Sequence, residues 1–237
     1  MTVTGRAVHV ANLEPVLGKM APVRGGDPGE CPVCGYQGRF INSGNPPLPG
    51  IKCPSCAVGP RHRLLKLVQD REGLIPAGSE ILHFAAEQST RRLVEATGPR
   101  RYVTADLEPG FDIQVDIENL AIEDASFDVV ICSHVLEHVN DRLALANIYR
   151  VLRPGGTLIA MVPIVEGWET TYENPAVTSR KERMRHYGSS NHVRFYGRDF
   201  RDRLSHAGFA VREPTGTPEK VLRCRLNRGE RVFVCIR

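Results

Sequence analysis

Phe127-Asp128-Val129-Val130-Ile131-Cys132 is an almost unbroken apolar, β-branched run entered through one acid. Short runs of this kind predict a strand buried on both faces of a parallel sheet. The run stops at Ser133-His134, which sets polar side chains at the carboxyl end of the predicted strand, where open α/β sheets bind ligands. From Asp141 to Leu152 the apolar residues Leu143, Ala146, Ile148, Val151 and Leu152 recur at helical spacing, Arg153-Pro154-Gly155-Gly156 ends the helix, and Thr157 to Pro163 predicts a second buried strand. Strand, helix and strand together make a βαβ unit.

The same reading extends in both directions. Arg61 to about Glu72 predicts an amphipathic helix whose basic start, Arg61-His62-Arg63, reads as a solvated face. Glu80 to Ala85 predicts a strand, followed by a helix from about Ser89 to Ala96 that stops at Gly98-Pro99. Arg101 to Asp106 predicts a strand ending in an acid, and Ile113 to Ile117 a short third one. The connection from 106 to 113 is too short for an ordinary crossover helix. Asp199 to Ala207 then reads as a helix, Gly208 to Val211 as a strand and Arg231 to Ile236 as the last strand. Between them, residues 164–198 form a long polar insertion at the ligand end of a strand, which is where substrate contacts are expected. No internal repeat interrupts the pattern.

Four cysteines change the picture at the N-terminal side. Cys31-Pro-Val-Cys34 and Cys53-Pro-Ser-Cys56 are two Cys-x-x-Cys turns separated by 18 residues. Two such turns present four thiolates, which completes a tetrahedral structural zinc site with no position left for substrate. A zinc ribbon over residues 31–60 follows, in preference to free or redox-active thiols. Phe40 and Ile51 are expected in its hairpin, with Gly35 taking a backbone conformation closed to other residues. Zinc should supply most of the ribbon's folding free energy, because so short a segment buries little surface. Residues 1–30 read as a poorly structured lead-in, 61–77 as a connecting helix and 78–237 as the main domain.

Phe127-Asp128, Glu137-His138-Val139 and Tyr149-Arg150-Val151-Leu152-Arg153-Pro154-Gly155-Gly156 resemble the fourth and fifth motif region of class I S-adenosylmethionine (SAM)-dependent methyltransferases of the type 11-like kind. The resemblance covers roughly 78–237 and implies a Rossmann-like, doubly wound, seven-stranded sheet. Strands one to five would be parallel, a C-terminal antiparallel hairpin would close the sheet, and SAM would be the methyl donor. One departure stands out: His83 occupies the usual acidic position, and Ala85-Ala86-Glu87 replaces the Gly-x-Gly turn. A subgroup of bacterial zinc-ribbon methyltransferases is similar in having Leu-His-x-Ala-x-Glu here and a His-x-Arg-x-Tyr-Gly stretch in the insertion.

Carried onto this sequence, the resemblance implies cofactor contacts at His83, Ala85, Glu87, Asp106, Leu107, Asp116, Ile117, Ser133 and His134. Asp106 would accept from the ribose hydroxyls and Asp116 from the adenine amine. Ile117 would pack on the adenine ring, and Glu87 would face the ammonium of the methionine portion. Tyr172, Arg194 and Tyr196 of the insertion would bind the acceptor. A sulfonium methyl is already activated, so the protein must align an acceptor and, for a hydroxyl, take its proton. Histidine suits that task at neutral pH, which makes His138 and His192 the catalytic candidates, with Glu137 orienting His138.

Composition narrows the partners without choosing among them. Among 237 residues, 41% are hydrophobic, enough for one medium domain and a small module, and the net charge is +4. That mild excess permits an anionic substrate without requiring nucleic acid. No run of 18 apolar residues occurs, and the first 20 residues lack the apolar stretch of a secretory signal, so a cytoplasmic protein without a membrane span is expected. The expected acceptor is a small polar metabolite, a sugar or natural-product intermediate, methylated at oxygen or nitrogen. Two alternatives stand beside it: an RNA methyltransferase, with acids interleaved among its basic residues, and a non-catalytic binding protein on the same fold. Oligomeric state is not legible.

Overall fold

The computed structural model describes residues 28–44 and 47–237. The expected lead-in over 1–30 therefore falls almost wholly outside the described residues. The cysteine module comes first: β1 (Gly29–Glu30) pairs antiparallel with β2 (Gln37–Gly38), and β3 (Ile41–Ser43) with β4 (Leu48–Lys52). Each Cys-x-x-Cys turn closes in the same way. Gly35 N–H donates to the Cys31 carbonyl at 2.8 Å, and Ala57 N–H to the Cys53 carbonyl at 2.9 Å. Both closing residues are left-handed, Gly35 at φ 75° and Ala57 at φ 61°. Ile51 lies in β4, whereas Phe40 lies just before β3 and is buried beneath the module with Cys31, Cys53 and Val58.

Helix α1 (Pro60–Glu72) joins the module to the sheet. Proline opens it, where a missing N–H costs nothing, and Gly73 ends it in a left-handed C-cap. Its basic start is not a solvated face. Arg63 is fully buried and donates to the carbonyls of Cys224, Val58, Ile51 and Arg225 at 2.6–3.0 Å, with its guanidinium 4.7 Å from the Phe40 ring centroid. Burial pushes this guanidinium down, and the neighbouring sulfurs of Cys31 and Cys53 oppose the shift. One cation thus ties the cysteine module, α1 and the C-terminal segment together.

The main sheet is built from β5 (Glu80–Phe84), β6 (Arg101–Asp106), β7 (Ile113–Gln114), β8 (Phe127–Ser133), β9 (Leu152–Met161), β12 (Ala210–Arg212) and β13 (Phe233–Ile236). In space they run β12-β13-β9-β8-β5-β6-β7. Strands β5 to β9 pair in parallel, and β13 is antiparallel to both of its neighbours. The expected Rossmann-like, seven-stranded sheet with a closing hairpin is therefore the observed fold. Helices α2 (Gln88–Glu95) and α3 (Asp141–Val151) lie in the crossovers; α5 (Phe200–His206) precedes β12, and α6 (Pro218–Arg223) separates β12 from β13. Apolar cores cover both faces of the sheet, one around Leu82, Val130, Leu145 and Phe200, the other around Ile81, Leu65, Ile131 and Val234. Burial on both faces explains why the strands read as continuous apolar runs.

Two boundaries near the ligand end and the motif region differ most from expectation. Strand β7 ends at Gln114 rather than continuing through Ile117, since Asp116 turns the chain by accepting from Glu118 N–H at 2.8 Å. Strand β9 begins at Leu152, so Arg153-Pro154-Gly155-Gly156 bulges within it, between the pairs Phe127–Leu152 and Val129–Thr157. A Cβ on Gly156 would meet the Arg153 carbonyl oxygen at 2.8 Å, which is why glycine stands there. No helix joins β6 to β7, in keeping with the short connection. Asp112 holds that loop instead, accepting from Thr104 N–H and Oγ1 at 2.8 Å.

Candidate active site

Strand order reverses between β5 and β8, one path leading outward to β6 and the other to β9. Ligands in open α/β sheets bind in the crevice outside such a switch point. Here the carboxyl ends of β5, β6 and β8 open into a cavity of about 510 Å³, within the usual range for small-ligand pockets. Its wall includes Phe84, Ala85, Asp106, Leu107, Glu108, Val115, Asp116, Ile117, His134, Val135 and His138. Seven residues singled out in the sequence thus meet around one space: Ala85, Asp106, Leu107, Asp116, Ile117, His134 and His138.

Local geometry aims the two acids. Asp106 Oδ1 accepts from Glu108 N–H at 3.0 Å, and Asp116 Oδ1 accepts from Glu118 N–H at 2.8 Å. Each turn fixes one oxygen and leaves the other for a ligand. Ile117 is buried, with Val115 beside it, giving an apolar surface next to Asp116. Leu107 is 65% exposed at the rim. The floor carries backbone strain as well. Ala85, closing β5, has φ 48°, and His134, closing β8, has φ 57°. Left-handed conformations cost a non-glycine residue about 1–2 kcal/mol, so the turn that lost its glycines has kept the conformation glycine favours.

Other predicted residues lie elsewhere. Glu87 does not face the cavity: it is ion-paired with Arg61 and with His62, whose Nε2 is 2.6 Å away. The His62 contact, followed by Arg61, holds the Glu87 carboxyl down at about 2. His83 is buried within β5 and hydrogen-bonded to the Tyr102 hydroxyl at 2.8 Å, and desolvation depresses its imidazole to about 3. It is a neutral core histidine. Ser133 ends β8, outside the cavity lining.

The insertion docks through a set of hydrogen bonds to the turn after β8, a single helical turn at Leu136–His138. Val193 N–H donates to the Glu137 carbonyl at 2.9 Å, Arg194 Nη1 to the carbonyls of Leu136 (2.8 Å) and Val139 (2.5 Å), and the Tyr196 hydroxyl to Leu136 O and Asp141 Oδ2 at 3.0 Å. Arg194 and Tyr196 are therefore buried clamps rather than acceptor contacts, with polar valences spent on the backbone, Asp141 and Glu173. Desolvation, reinforced by Asp141, pushes the Tyr196 hydroxyl well up. Tyr172, in β10 (Tyr172–Glu173), pairs across to β11 (Arg194–Phe195) and hydrogen-bonds His186 Nδ1 at 2.6 Å. It stands outside the cavity lining. Two residues of the insertion do reach that lining and were not picked out in the sequence: Arg183, on helix α4 (Arg180–Tyr187), and Asn191. Only the docking of the insertion brings them there, so no local pattern could have marked them.

His138 and His192 come together across this junction, their ring centroids 4.7 Å apart at 79°. His138 Nδ1 lies 3.2 Å from the Asn191 carbonyl. Burial, then the positive field of His138, lowers the His192 imidazole, so it is neutral and available as a base around pH 7. Beneath both sits Glu137, 1% exposed.

The four cysteines were tested against a tetrahedral ion. Their sulfurs lie within 4.8 Å of one another, with Cys31–Cys56 at 3.6 Å and Cys34–Cys53 at 3.7 Å. Zinc–sulfur bonds of about 2.3 Å give a tetrahedron with edges of about 3.8 Å. The cluster fits a zinc site, with Cys31, Cys34, Cys53 and Cys56 as its four ligands and no catalytic position.

Comparisons agree with this geometry. A family model described as "Methyltransferase domain" matches residues 79–160, about a third of the chain. No curated protein matches the sequence. An SAM-dependent methyltransferase from Archaeoglobus fulgidus is similar at 15% identity and TM-score 0.50, over 76% of this chain and 95% of that one. One from Mesorhizobium loti has 19% identity and TM-score 0.48, over 70% and 94%. The 1,6-didemethyltoxoflavin-N1-methyltransferase of Burkholderia thailandensis has 16% identity and TM-score 0.47, over 72% and 73%. Among the described residues no helix is long and apolar enough to cross a membrane. The matched segment over residues 79–160, the strand order and the cavity at the switch point give the chain a methyltransferase-like sheet that resembles the class I SAM-dependent enzymes, beside a four-cysteine cluster that fits a zinc ribbon.

Proposed function

We propose that the protein is an SAM-dependent methyltransferase that methylates oxygen or nitrogen of a small polar metabolite. One observation carries the reading: Asp106, which ends β6, and Asp116, two residues beyond β7, line the same cavity together with apolar Val115 and Ile117. Two acceptors flanking an apolar surface match a nucleoside, with Asp106 toward the ribose hydroxyls and Asp116 toward the adenine amine. Bound there, SAM supplies an activated methyl group. Ala85 permits close approach of the backbone, and His134 bounds the methionine side. The acceptor enters from the side of His138, where the insertion covers the cavity with Arg183 and Asn191. His138 or the neutral His192 takes the acceptor proton, both being oriented by their junction with Glu137. Covering by the insertion excludes water and favours a compact acceptor over a polymer. The exposed basic helix α4, with Arg180, Lys181 and Arg185, favours a second reading in which RNA phosphates track across it.

Calorimetric titration of the zinc-loaded protein with SAM and S-adenosylhomocysteine tests the first step. Micromolar binding lost in Asp106→Ala is expected; a folded wild-type protein that binds neither would leave a non-catalytic fold. RNA affinity that falls with salt and with Arg180→Ala/Arg185→Ala would move the acceptor to nucleic acid.

A further inference from the structure

A buried carboxylate with nothing to bond is expensive, and the protein places one beside three imidazoles. Glu137 is 1% exposed, and both of its carboxylate oxygens lack a hydrogen-bond partner. Oε1 lies 3.2 Å from His134 Nδ1, out of line for a hydrogen bond. A buried carboxylate left without a hydrogen bond carries its full desolvation cost, and with only the His134 imidazole in ion-pair contact the site suits a cation. His192 Nδ1 is likewise buried and unpartnered. His138 directs Nδ1 at the Asn191 carbonyl, the outer contact that fixes a metal-binding imidazole with its other nitrogen free. One donor atom from each of Glu137, His138 and His192 lies within 4.8 Å of the others. Ligands around an ion at about 2.1 Å sit roughly 3–4 Å apart, a spacing that small side-chain rotations of the two half-exposed histidines reach.

We propose that Glu137, His138 and His192 bind a first-row divalent cation at the mouth of the cavity, as a two-histidine, one-carboxylate site with open positions. The site is distinct from the four-cysteine cluster and opposite in chemistry: nitrogen and oxygen ligands with room for substrate, against four sulfurs with none. Its framework is fixed by the backbone, because Val193 N–H to the Glu137 carbonyl sets His192 over Glu137. Its role rests on the methyltransferase reading. An acceptor hydroxyl on an open position becomes more acidic and loses its proton to water. The oxygen then takes the methyl group, and the carbon–sulfur bonding pair stays on sulfur. The histidines act as ligands in this state, and the ion does the work otherwise asked of a base.

The test uses the full chain with the cysteine cluster filled by zinc, titrated with Co²⁺ and followed by visible absorption. One Co²⁺ per chain is expected, with the weak bands of a nitrogen and oxygen site and no sulfur charge-transfer band. Glu137→Gln, which keeps the shape of the side chain, and His192→Ala, on a half-exposed segment, should each weaken Co²⁺ by more than the roughly 10–100-fold that loss of an outer contact gives. Zinc content and SAM affinity of the same samples report folding and the cofactor site separately. SAM binding without a second metal would overturn the cation site alone, as would Co²⁺ binding that both variants retain. Co²⁺ binding without SAM binding would keep the site and remove the methyl-transfer role.

Discussion

The cysteine module and the main sheet solve the same problem by different means. The sheet is apolar on both faces, with Ile81, Leu82, Val130 and Ile131 among its fully buried residues, and needs nothing but its own side chains to exclude water. Among the described residues the module buries Cys31, Phe40, Cys53 and Val58 in a cluster of its own, and two of those belong to the four-cysteine cluster. Stability in the first comes from surface area, while the second is built for an ion to supply it. Arg63 couples them, because its carbonyl acceptors belong both to the module and to the C-terminal segment that leads into β13.

The comparison breaks most visibly at Cys53→Ser. Zinc contributes on the order of 10 kcal/mol to a domain of this kind, so the variant should lose zinc and lose protection from hydrogen exchange over Ile41–Lys52, while β5–β9 stay protected. Loss of protection across both regions would show that the sheet also depends on the ion. Arg63→Met comes next, at about 1–3 kcal/mol for each fully buried carbonyl it strands, two of the four it serves at the junction; denaturant unfolding should show the two regions separating into two transitions. Leu82→Ala, in the central strand, should cost about 2–5 kcal/mol in a single transition with zinc content unchanged.

A smaller effect distinguishes the regions by pH. His83 in the folded sheet is held near 3 by desolvation, whereas the unfolded chain has its ordinary value near 6.5. Below pH 6.5 the unfolded state binds a proton that the folded state refuses, so stability falls as pH drops from 6.5 toward 3. The slope approaches about 1.4 kcal/mol per pH unit, and His83→Asn should flatten it by that amount in unfolding midpoints taken between pH 7 and 5. Smallest of all, Ala57→Gly should raise the stability of the zinc-loaded module by about 1 kcal/mol by relieving a left-handed alanine. Gly35 already performs that role in the first turn.

Much of the fold was legible because burial on both faces leaves an unmistakable apolar run, as at Phe127–Cys132, and because Cys-x-x-Cys spacing is dictated by a small ion. The placement of Asp106 at the cavity was legible from its position at the end of an apolar strand, and that of Asp116 from the family resemblance. Glu87 and Tyr196 were not, since a carboxylate or a hydroxyl reads the same whether it meets a ligand or a partner in the chain. Glu87 is spent on Arg61 and His62 across 25 or more residues, and Tyr196 on Leu136 and Asp141 across 55 or more. Sequence by itself therefore determined most strands of the main sheet and the two cysteine turns, because these depend on periodicity and short spacing, while the seven-stranded order was what the family resemblance implied. Tertiary structure alone decided which polar groups remain free. Docking of the insertion consumed Arg194 and Tyr196, brought Arg183 and Asn191 to the cavity, and left Glu137 buried beside His138 and His192 with neither oxygen hydrogen-bonded. Hydrogen-bond satisfaction is a property of the assembled interior, and no stretch of sequence contains it.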